Sequence, residues 1–224
     1  MYLTRFHLDP RSRAGARYLD DPQRLHAAVY RAMPEQPVEV DSAHRPLWRV
    51  DRDDPRDPLL WVVSAKRPFF DTLADEAGRS VHGRVYESKN YAPFLARLSG
   101  GNVYAFRFTG NPVRSGRRAA DSTRTQRFGH VTASQQTHWF EAQCEPHGFT
   151  LCGSASDEPD VAVVGRRRAT FWRDGQRVVI AVSDFMGTLE VLDPDRLRRA
   201  LTAGIGHARA YGCGLLTLAA VRRT

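Results

Sequence analysis

Four glycines near the C-terminus limit what this chain can fold into more than any other feature. They are Gly204, Gly206, Gly212 and Gly214. Because glycine has no Cβ, such a segment can take positive φ angles and approach another group closely. A dinucleotide-binding loop follows a strand, opens a helix and needs a third glycine where this chain has Arg209. Here a predicted helix over residues 194–203 comes first and an apolar run follows, so a dinucleotide site is not predicted.

Two interpretations of this glycine segment remain open on the sequence alone. Backbone N–H groups in a glycine-rich turn can hold phosphate oxygens, and His207 and Arg209 would add side-chain contacts. Alternatively, the glycines allow a tight turn from a helix into a strand that packs on a sheet. The four glycines, His207 and Arg209 are therefore candidates for binding a phosphate backbone.

Composition narrows the class of protein. The chain has 224 residues, of which 42% are hydrophobic, which predicts a packed core in one large or two small domains. Its net charge of +8 favours an anionic partner, with nucleic acid ahead of a membrane surface. The sequence has no transmembrane-length apolar run and no signal-peptide core, and three cysteines do not suggest a disulfide framework. We therefore expect a cytoplasmic protein with no membrane partner.

The order of predicted elements indicates the fold. The first half reads as strands over residues 1–8, 47–50, 59–64 and 83–88 and helices over residues 20–33 and 69–77. This β-α-β-β-α-β order is ferredoxin-like. Residues 11–19 are expected to be irregular. Asp21 and Pro22 supply a cap and a first helical residue for the helix that ends near Met33.

The second half repeats this organisation less clearly. Its predicted strands cover residues 103–108, 161–164, 169–172, 178–182, 188–192 and 215–221, and its helices cover residues 135–144 and 194–203. Asp174 and Gly175 predict a hairpin turn, and residues 115–125 are expected to form a polar, mobile loop. We predict an α+β protein of two tandem ferredoxin-like (RRM-like) domains, over residues 1–97 and 102–224.

A metal site is not predicted. His138, Cys144, His147 and Cys152 lie close in sequence, but their spacing lacks the paired short-range ligands of a zinc site. The aspartates between residues 51 and 57 are separated by proline and are interpreted as a solvated turn. We therefore expect neither a metal nor a cofactor.

Several motifs occur together in one order along the chain. They are MYLTR at residues 1–5, LDPRSR at 8–13, FRFTGNP at 106–112, WF at 139–140, GFTL at 148–151, GTLEVLDP at 187–194 and the glycine segment. In this order they resemble the CasE-type CRISPR RNA endoribonucleases of the type I-E system. These belong to the RAMP superfamily, whose hallmark is a C-terminal glycine-rich loop.

The resemblance implies both a fold and an activity. It implies two ferredoxin-like domains that bind a CRISPR repeat RNA hairpin and cleave it at the 3′ base of the stem without a metal. The nucleophile would be the RNA 2′-OH, giving a 2′,3′-cyclic phosphate or 3′-phosphate and a 5′-OH. The mature guide RNA would then stay bound, together with other subunits of a surveillance complex that serves antiviral defence.

The resemblance aligns His26 with the family's catalytic histidine on the first helix. Imidazole can take or give a proton near neutral pH, although a lone helical histidine can also be merely structural. The family often has a tyrosine three residues earlier, where this chain has Gln23. Glutamine can orient a phosphate but cannot act as an acid or a base.

Helix geometry suggests a substitute for that tyrosine. At about 100° per residue, Tyr30 and Gln23 share the sector of His26 beside the buried face. Tyr30 is thus a candidate catalytic neighbour, with an ordinary half-buried aromatic as the alternative. The resemblance also puts Arg31 where the family often has a lysine that could stabilise phosphate charge. The same geometry points Arg31 away from His26.

Arginines supply the candidate contacts to the RNA backbone. The run Arg166, Arg167 and Arg168 precedes the predicted hairpin, and a basic hairpin can lie along a stem and contact its phosphates. A solvated, charged turn is the alternative. Further candidates are Arg11, Arg13 and Arg17 beside the catalytic helix, and Arg127 in the basic loop with Arg114, Arg117, Arg118 and Arg124.

Two rival functions remain. A non-catalytic RNA-binding subunit of the same complex is favoured by Gln23 and opposed by His26. A general single-strand RNA-binding module would expect exposed aromatic residues at recognition positions of a sheet, and the sequence lacks that signature.

Overall fold

Two main antiparallel sheets organise the computed structural model, which describes residues 1–34, 45–117, 125–153 and 159–221. The side chains of residues 115–117 and 125–127 are outside that description. The first sheet has the order β2-β3-β1-β4, and the second has the order β11-β5-β10-β8 with β9 paired to β10. Both orders follow the ferredoxin-like pattern, so the predicted fold class is confirmed.

The first sheet and its helices come from the first 90 residues. Its strands are β1 (Tyr2–His7), β2 (Leu47–Asp51), β3 (Leu59–Ser64) and β4 (Tyr86–Asn90). Its helices are α1 (Arg13–Asp20), α2 (Pro22–Arg31) and α3 (Asp71–Ala77). A short helix, α4 (Ala92–Ala96), then leads towards the second sheet. The predicted elements are all present here, with ends shifted by a few residues.

Helix α1 corrects the expectation that residues 11–19 are irregular. The Ser12 side chain accepts a hydrogen bond from the N–H of Gly15 at 2.9 Å and caps the helix. Gly15 lies so close to Asp9 that an added Cβ would meet the Asp9 carbonyl oxygen at 1.9 Å. Arg13 and Arg17 are exposed on this short helix. Ala14, Tyr18 and Leu19 of the helix pack against the core of the first sheet.

Helix α2 begins where the sequence predicts and ends two residues earlier. The Asp21 side chain accepts hydrogen bonds from the N–H groups of Gln23 and Arg24, and Pro22 occupies the first turn. Leu25 and Val29 are fully buried against the first sheet. Because these side chains fix the rotation of the helix, they also fix the direction in which His26 points.

The second half holds a longer set of strands. They are β5 (Val103–Gly110), β6 (Val113–Arg117), β7 (Thr125–Gly129), β8 (Phe149–Leu151), β9 (Val161–Arg173), β10 (Gln176–Val191) and β11 (Leu216–Ala220). The helices are α5 (Ala133–Cys144) and α6 (Pro194–Ala203). Within the described residues, strands β6 and β7 form a separate two-stranded sheet.

Strands β9 and β10 replace four shorter predicted strands. They form one hairpin, and its turn lies at Asp174 and Gly175 as predicted, with positive φ angles of 49° and 73°. A bulge at Asp184 interrupts the pairing of β9 with β10. On the turn side of this bulge the hairpin extends beyond the part of β10 that pairs with β5. The predicted break between residues 164 and 169 was wrong. It was placed there because arginines interrupt the apolar run, but alternate residues of one strand can be polar.

The predicted domain limits at residues 97 and 102 stay a prediction, although the first sheet ends before them and β5 begins after them. The predicted mobile loop over residues 115–125 is replaced at its ends by β6 and β7. Its central part, residues 118–124, lies outside the described residues, as do Arg118 and Arg124.

A buried arginine joins the two sheets. Arg49 of β2 donates hydrogen bonds to the backbone carbonyls of Arg107 and Leu215, at 2.8 and 3.2 Å. It also pairs with Asp51, with Nε 2.6 Å from Oδ1. Leu47 belongs to the same apolar core as Leu215. These contacts hold the first sheet against β5 and against the residue that precedes β11 in the second sheet.

Candidate active site

A cleft of about 510 Å³ forms where α2, the end of β9 and the glycine segment meet. It is lined by Gln23, His26, Tyr30, Arg45, Pro46, Leu47, Arg173, Ala203, Arg209, Ala210 and Tyr211. Among these described lining residues, three are arginines and none is a carboxylate. The cleft therefore suits an anionic ligand.

His26 is half-buried at the base of α2. Its Nδ1 atom is buried and has no hydrogen-bond partner within the described part of the chain. Burial lowers the pKa of His26 below its usual value of 6.5, and the positive charges of Arg173 and Arg45 lower it further. The imidazole is therefore neutral at neutral pH and can accept a proton.

Tyr30 lies beside His26, as the helix geometry predicts. Their ring centroids are 4.3 Å apart. Burial raises the pKa of Tyr30, and the nearby charge of Arg45 opposes that rise only in part. The phenol therefore stays protonated at neutral pH. Gln23 lines the same cleft. The catalytic roles given to Tyr30 and Gln23 stay predictions.

Arg31 is not brought into the cleft. Its Nη2 atom donates to the hydroxyl of Tyr18 at 3.3 Å, and its side chain lines a separate depression beside α3. The position inferred from the resemblance therefore disagrees with the geometry, because five residues at about 100° each place residue 31 on another side of the helix from His26. Three other arginines, Arg45, Arg173 and Arg209, do line the cleft.

Contacts within the protein determine the conformation of the glycine segment. All four glycines have positive φ angles. The N–H of Gly204 donates to the Ala200 carbonyl at 3.0 Å, and that of Gly214 donates to the Thr109 carbonyl at 2.6 Å. These two N–H groups already have acceptors within the protein, and RNA binding by the glycine segment stays a prediction. An added Cβ at Gly206 would meet Trp139 at 3.3 Å.

The two polar side chains of that segment differ in position. Arg209 lines the cleft and donates from Nη1 to the Ala203 carbonyl at 2.6 Å. His207 is exposed and is not one of the residues that line the cleft. Phosphate binding by Arg209 and by His207 therefore stays a prediction, and of the two only Arg209 lines the cleft.

Three polar residues that line the cleft, Arg45, Arg173 and Tyr211, were not candidates from the sequence. Tyr211 lies in the glycine segment, and its ring centroid is 6.4 Å from that of His26. Arg173 ends β9 and donates from Nη1 to the Tyr211 hydroxyl at 3.0 Å. The turn at Asp174 marks Arg173 as a strand end, but only the packing of β9 against α2 reveals its neighbours.

The basic run on β9 is divided by strand alternation. Arg166 and Arg168 are exposed, whereas Arg167 turns inwards and pairs with Asp184, with Nη1 2.5 Å from Oδ2. The Asp184 carboxylate also accepts from the Thr109 hydroxyl at 2.5 Å. Arg167 is therefore engaged within the protein, which disfavours its assignment to RNA, while Arg166 and Arg168 keep theirs as a prediction.

The remaining basic candidates lie elsewhere. Arg11, Arg13 and Arg17 are exposed, and Arg11 bonds to the Asp9 carboxylate from Nε at 3.4 Å. None of the three lines the cleft of His26. Arg127 lies in β7, and its side chain is outside the described part of the structure. RNA contact by these four residues stays a prediction.

The residues weighed as zinc ligands have other contacts. His138 and His147 each place Nδ1 near a backbone carbonyl of the preceding turn, 2.8 Å from Ser134 and 2.6 Å from Gln143. All three cysteines are free. Separately, no helix in the described ranges is long and apolar enough to cross a membrane.

Replacing Arg173 with glutamine should raise the pKa of His26 in the free protein. This substitution removes one of the two positive charges that disfavour the imidazolium, while burial still keeps the pKa below 6.5. An NMR titration of the His26 ring measures it. Arg177→Gln, an exposed arginine across the same hairpin, is the control and should leave the titration unchanged. An unchanged or lower His26 pKa in Arg173→Gln would contradict this electrostatic account.

Comparison with known proteins agrees with the fold. The profile of the family described as "CRISPR associated protein" matches residues 1–220, so the chain belongs to that family. The CRISPR-associated endoribonuclease Cse3 of Thermus thermophilus is 29% identical over 225 residues, covering 98% of this chain and 100% of the relative. The Cascade subunit CasE of Escherichia coli (strain K12) is 26% identical over 206 residues, covering 89% and 92%.

A solved structure is similar over the same length. It is described as CRISPR endoribonuclease Cse3 bound to a 19 nt RNA, and it is 27% identical to this chain with a TM-score of 0.77. The match covers 98% of this chain and 100% of the other. These findings confirm the resemblance to the CasE and Cse3 type that the ordered motifs predicted.

Proposed function

We propose that this protein is an endoribonuclease that cleaves CRISPR precursor RNA at the 3′ base of the repeat stem-loop. One observation carries the proposal: a neutral histidine, His26, lies in a cleft whose described lining has three arginines and no carboxylate. Such a site can take a proton from a ribose hydroxyl and hold the adjacent phosphate. The names of the two relatives, an endoribonuclease and a Cascade subunit, support the same reaction.

The reaction uses the RNA as its own nucleophile. The 2′-oxygen bonds to phosphorus while the bond from phosphorus to the 5′-oxygen breaks, leaving a 2′,3′-cyclic phosphate and a 5′-OH. His26 takes the proton of the 2′-OH, and the departing 5′-oxygen receives a proton from Tyr30 or from the protonated His26. Arginines of the cleft balance the charge of the phosphorane. The steps assigned to these side chains need no metal ion.

The partners follow from the same relatives. The protein binds the repeat hairpin and keeps the mature guide RNA within a type I-E surveillance complex, as the name of the Cascade relative suggests. The exposed arginines of β9 and the positive net charge suit the RNA stem. Because the precursor transcript would be made and processed in the cytoplasm, we place the protein there.

Single-turnover cleavage of the host's repeat hairpin in excess EDTA tests the proposal. RNA with a 2′-deoxy sugar at the cut site is compared with unmodified RNA. Cleavage in EDTA that disappears with the deoxy sugar is the expected result. Tight binding without cleavage of either RNA would instead favour a non-catalytic RNA-binding subunit, for which the replacement of the family tyrosine by Gln23 is the supporting observation.

The alternation along β9 predicts unequal effects on RNA binding. Replacing both Arg166 and Arg168 with alanine should weaken hairpin binding and reduce the salt slope of log K by roughly one to two units, because about one counterion is released per phosphate contact. Arg167→Ala should leave that slope unchanged. It should lower stability, because Asp184 loses its ion pair with Arg167. Affinities measured across a salt series test both expectations, and a slope that follows Arg167 would contradict this interpretation.

A further inference from the structure

Tyr211 is held in the cleft by two residues of β9. Its hydroxyl accepts the hydrogen bond from Nη1 of Arg173 at 3.0 Å. Its ring packs on Phe171, with the centroids 4.5 Å apart. Phe171 and Arg173 are two residues apart on one strand, so they share the face that is turned towards α2. The opposite face carries the exposed arginines Arg166 and Arg168.

The glycine segment fixes Tyr211 from the other side. Gly212 follows it with a φ of 81°, and an added Cβ there would meet the Trp48 ring at 2.7 Å. Ala208, at the start of the same short turn, also has a positive φ of 57°. This backbone conformation is uncommon for a residue with a side chain and is kept where the surroundings require it. The position of Tyr211 is therefore set by tight packing on β2.

The hydrogen bond from Arg173 determines what the Tyr211 hydroxyl can do. Arginine only donates, so the phenol oxygen is the acceptor and its own proton remains to be donated. The ring centroids of Tyr211 and His26 are 6.4 Å apart, and Arg45 and Arg209 line the same cleft. An anionic oxygen is the acceptor that fits such surroundings.

We propose that Tyr211, oriented by Arg173, donates a hydrogen bond to a non-bridging oxygen of the scissile phosphate. The proposal rests on the proposed function and identifies a phenol at the site other than Tyr30. Arg173 is a positioning residue in this arrangement. Because β9 presents Arg166 and Arg168 on its other face, the hairpin that contacts the stem also holds the group that contacts the phosphate.

The test measures phosphate recognition apart from cleavage. Two product hairpins are compared, one ending in a 3′-phosphate and the other in a 3′-OH at the base of the stem. The wild-type protein should bind the phosphate form roughly tenfold more tightly, and Tyr211→Phe should lose most of that preference. Tyr86→Phe, which removes a hydroxyl bonded to Asp71 on the first sheet, is the matched control and should keep it. Single-turnover cleavage by Tyr211→Phe should fall roughly 10- to 100-fold.

The outcomes separate this proposal from the proposed function. A phosphate preference that is absent from the wild type, retained in Tyr211→Phe, or lost in Tyr30→Phe instead of Tyr211→Phe overturns the assignment of Tyr211. A wild type that prefers the phosphate but cleaves no hairpin overturns the proposed enzyme and supports the phosphate site. Equal thermal stability of the three Tyr→Phe variants and the wild type shows that the comparison is between folded proteins.

Discussion

His26→Ala should reduce single-turnover cleavage of the repeat hairpin by about 10²- to 10⁴-fold while leaving hairpin affinity within about threefold. The loss is large because the substitution removes the cleft's imidazole, the group assigned to take the 2′-OH proton. Affinity should persist because the residues proposed to bind the stem are arginines elsewhere, including Arg166 and Arg168 on the exposed face of β9. Rapid-quench kinetics and equilibrium binding to the 2′-deoxy hairpin give the two numbers.

The control for this variant is His138→Ala, which removes an exposed histidine from α5. Its cleavage rate should equal that of the wild type. If His26→Ala lost affinity to the same degree as rate, His26 would be a binding residue and not the proton acceptor.

The same variant carries a stability signature that depends on pH. The pKa of His26 is lowered on folding, so the unfolded chain binds more protons below its ordinary pKa of 6.5. The wild type should therefore lose stability relative to His26→Ala as the pH falls below about 6.5, and the difference should be constant above it. Urea denaturation of both proteins at several pH values measures this trend. A constant difference across that range would mean that the pKa of His26 is not lowered.

Helices with strong end signals were the most predictable part of the fold. Helix α6 covers residues 194–203 as predicted, because Asp193 caps it, Pro194 starts it and Gly204 ends it. Helix α1 was missed because it is only eight residues long and contains Gly15, and glycine disfavours a helix, so its arginines were interpreted as an irregular basic segment. The length of β9 was missed because its arginines look like a turn until the pairing with β10 is known.

The side of the candidate site formed by α2 was predictable in more detail than the opposite side, where Arg209 was the predicted residue that lines the cleft. Helix periodicity places Tyr30 beside His26 because both lie on α2, where spacing in sequence fixes spacing in the structure. Tyr211 and Arg173 come from the other half of the chain, and they reach His26 only through the contact between the two sheets. Local sequence patterns do not encode such a contact, so a single sequence gives no direct sign of it.

The contact between the two sheets through Arg49 also predicts a large effect on the stability of the protein. Arg49→Met should lower the free energy of unfolding by about 3–5 kcal/mol, the range for breaking a buried ion pair by removing one partner. Arg49 is 1% exposed, and the substitution removes the donors to the carbonyls of Arg107 and Leu215. It also leaves Asp51 with the Nε atom of Arg107, at 3.1 Å, as its remaining ion-pair partner among the described residues.

The control is an arginine of the same sheet in an exposed pair. Arg5 of β1 lies 3.9 Å from Glu87, and its side chain is 45% exposed. Arg5→Met should therefore cost less than about 1 kcal/mol. Urea denaturation at neutral pH gives both values, with the m-value as a check on two-state unfolding.

A double variant tests whether the cost of Arg49→Met comes from the Asp51 carboxylate, which loses the positive charge of Arg49. Asp51→Asn keeps the side-chain volume and removes the negative charge, so Arg49→Met with Asp51→Asn should lose less than the sum of the single losses. Equal costs for Arg49→Met and Arg5→Met would show that Arg49 does not hold the sheets together.

The contacts of Arg49 between the two sheets also affect the site. Without them, the distance between His26 on α2 and Tyr211 in the glycine segment would no longer be fixed. We therefore expect Arg49→Met to lower the cleavage rate even at temperatures where the protein remains folded.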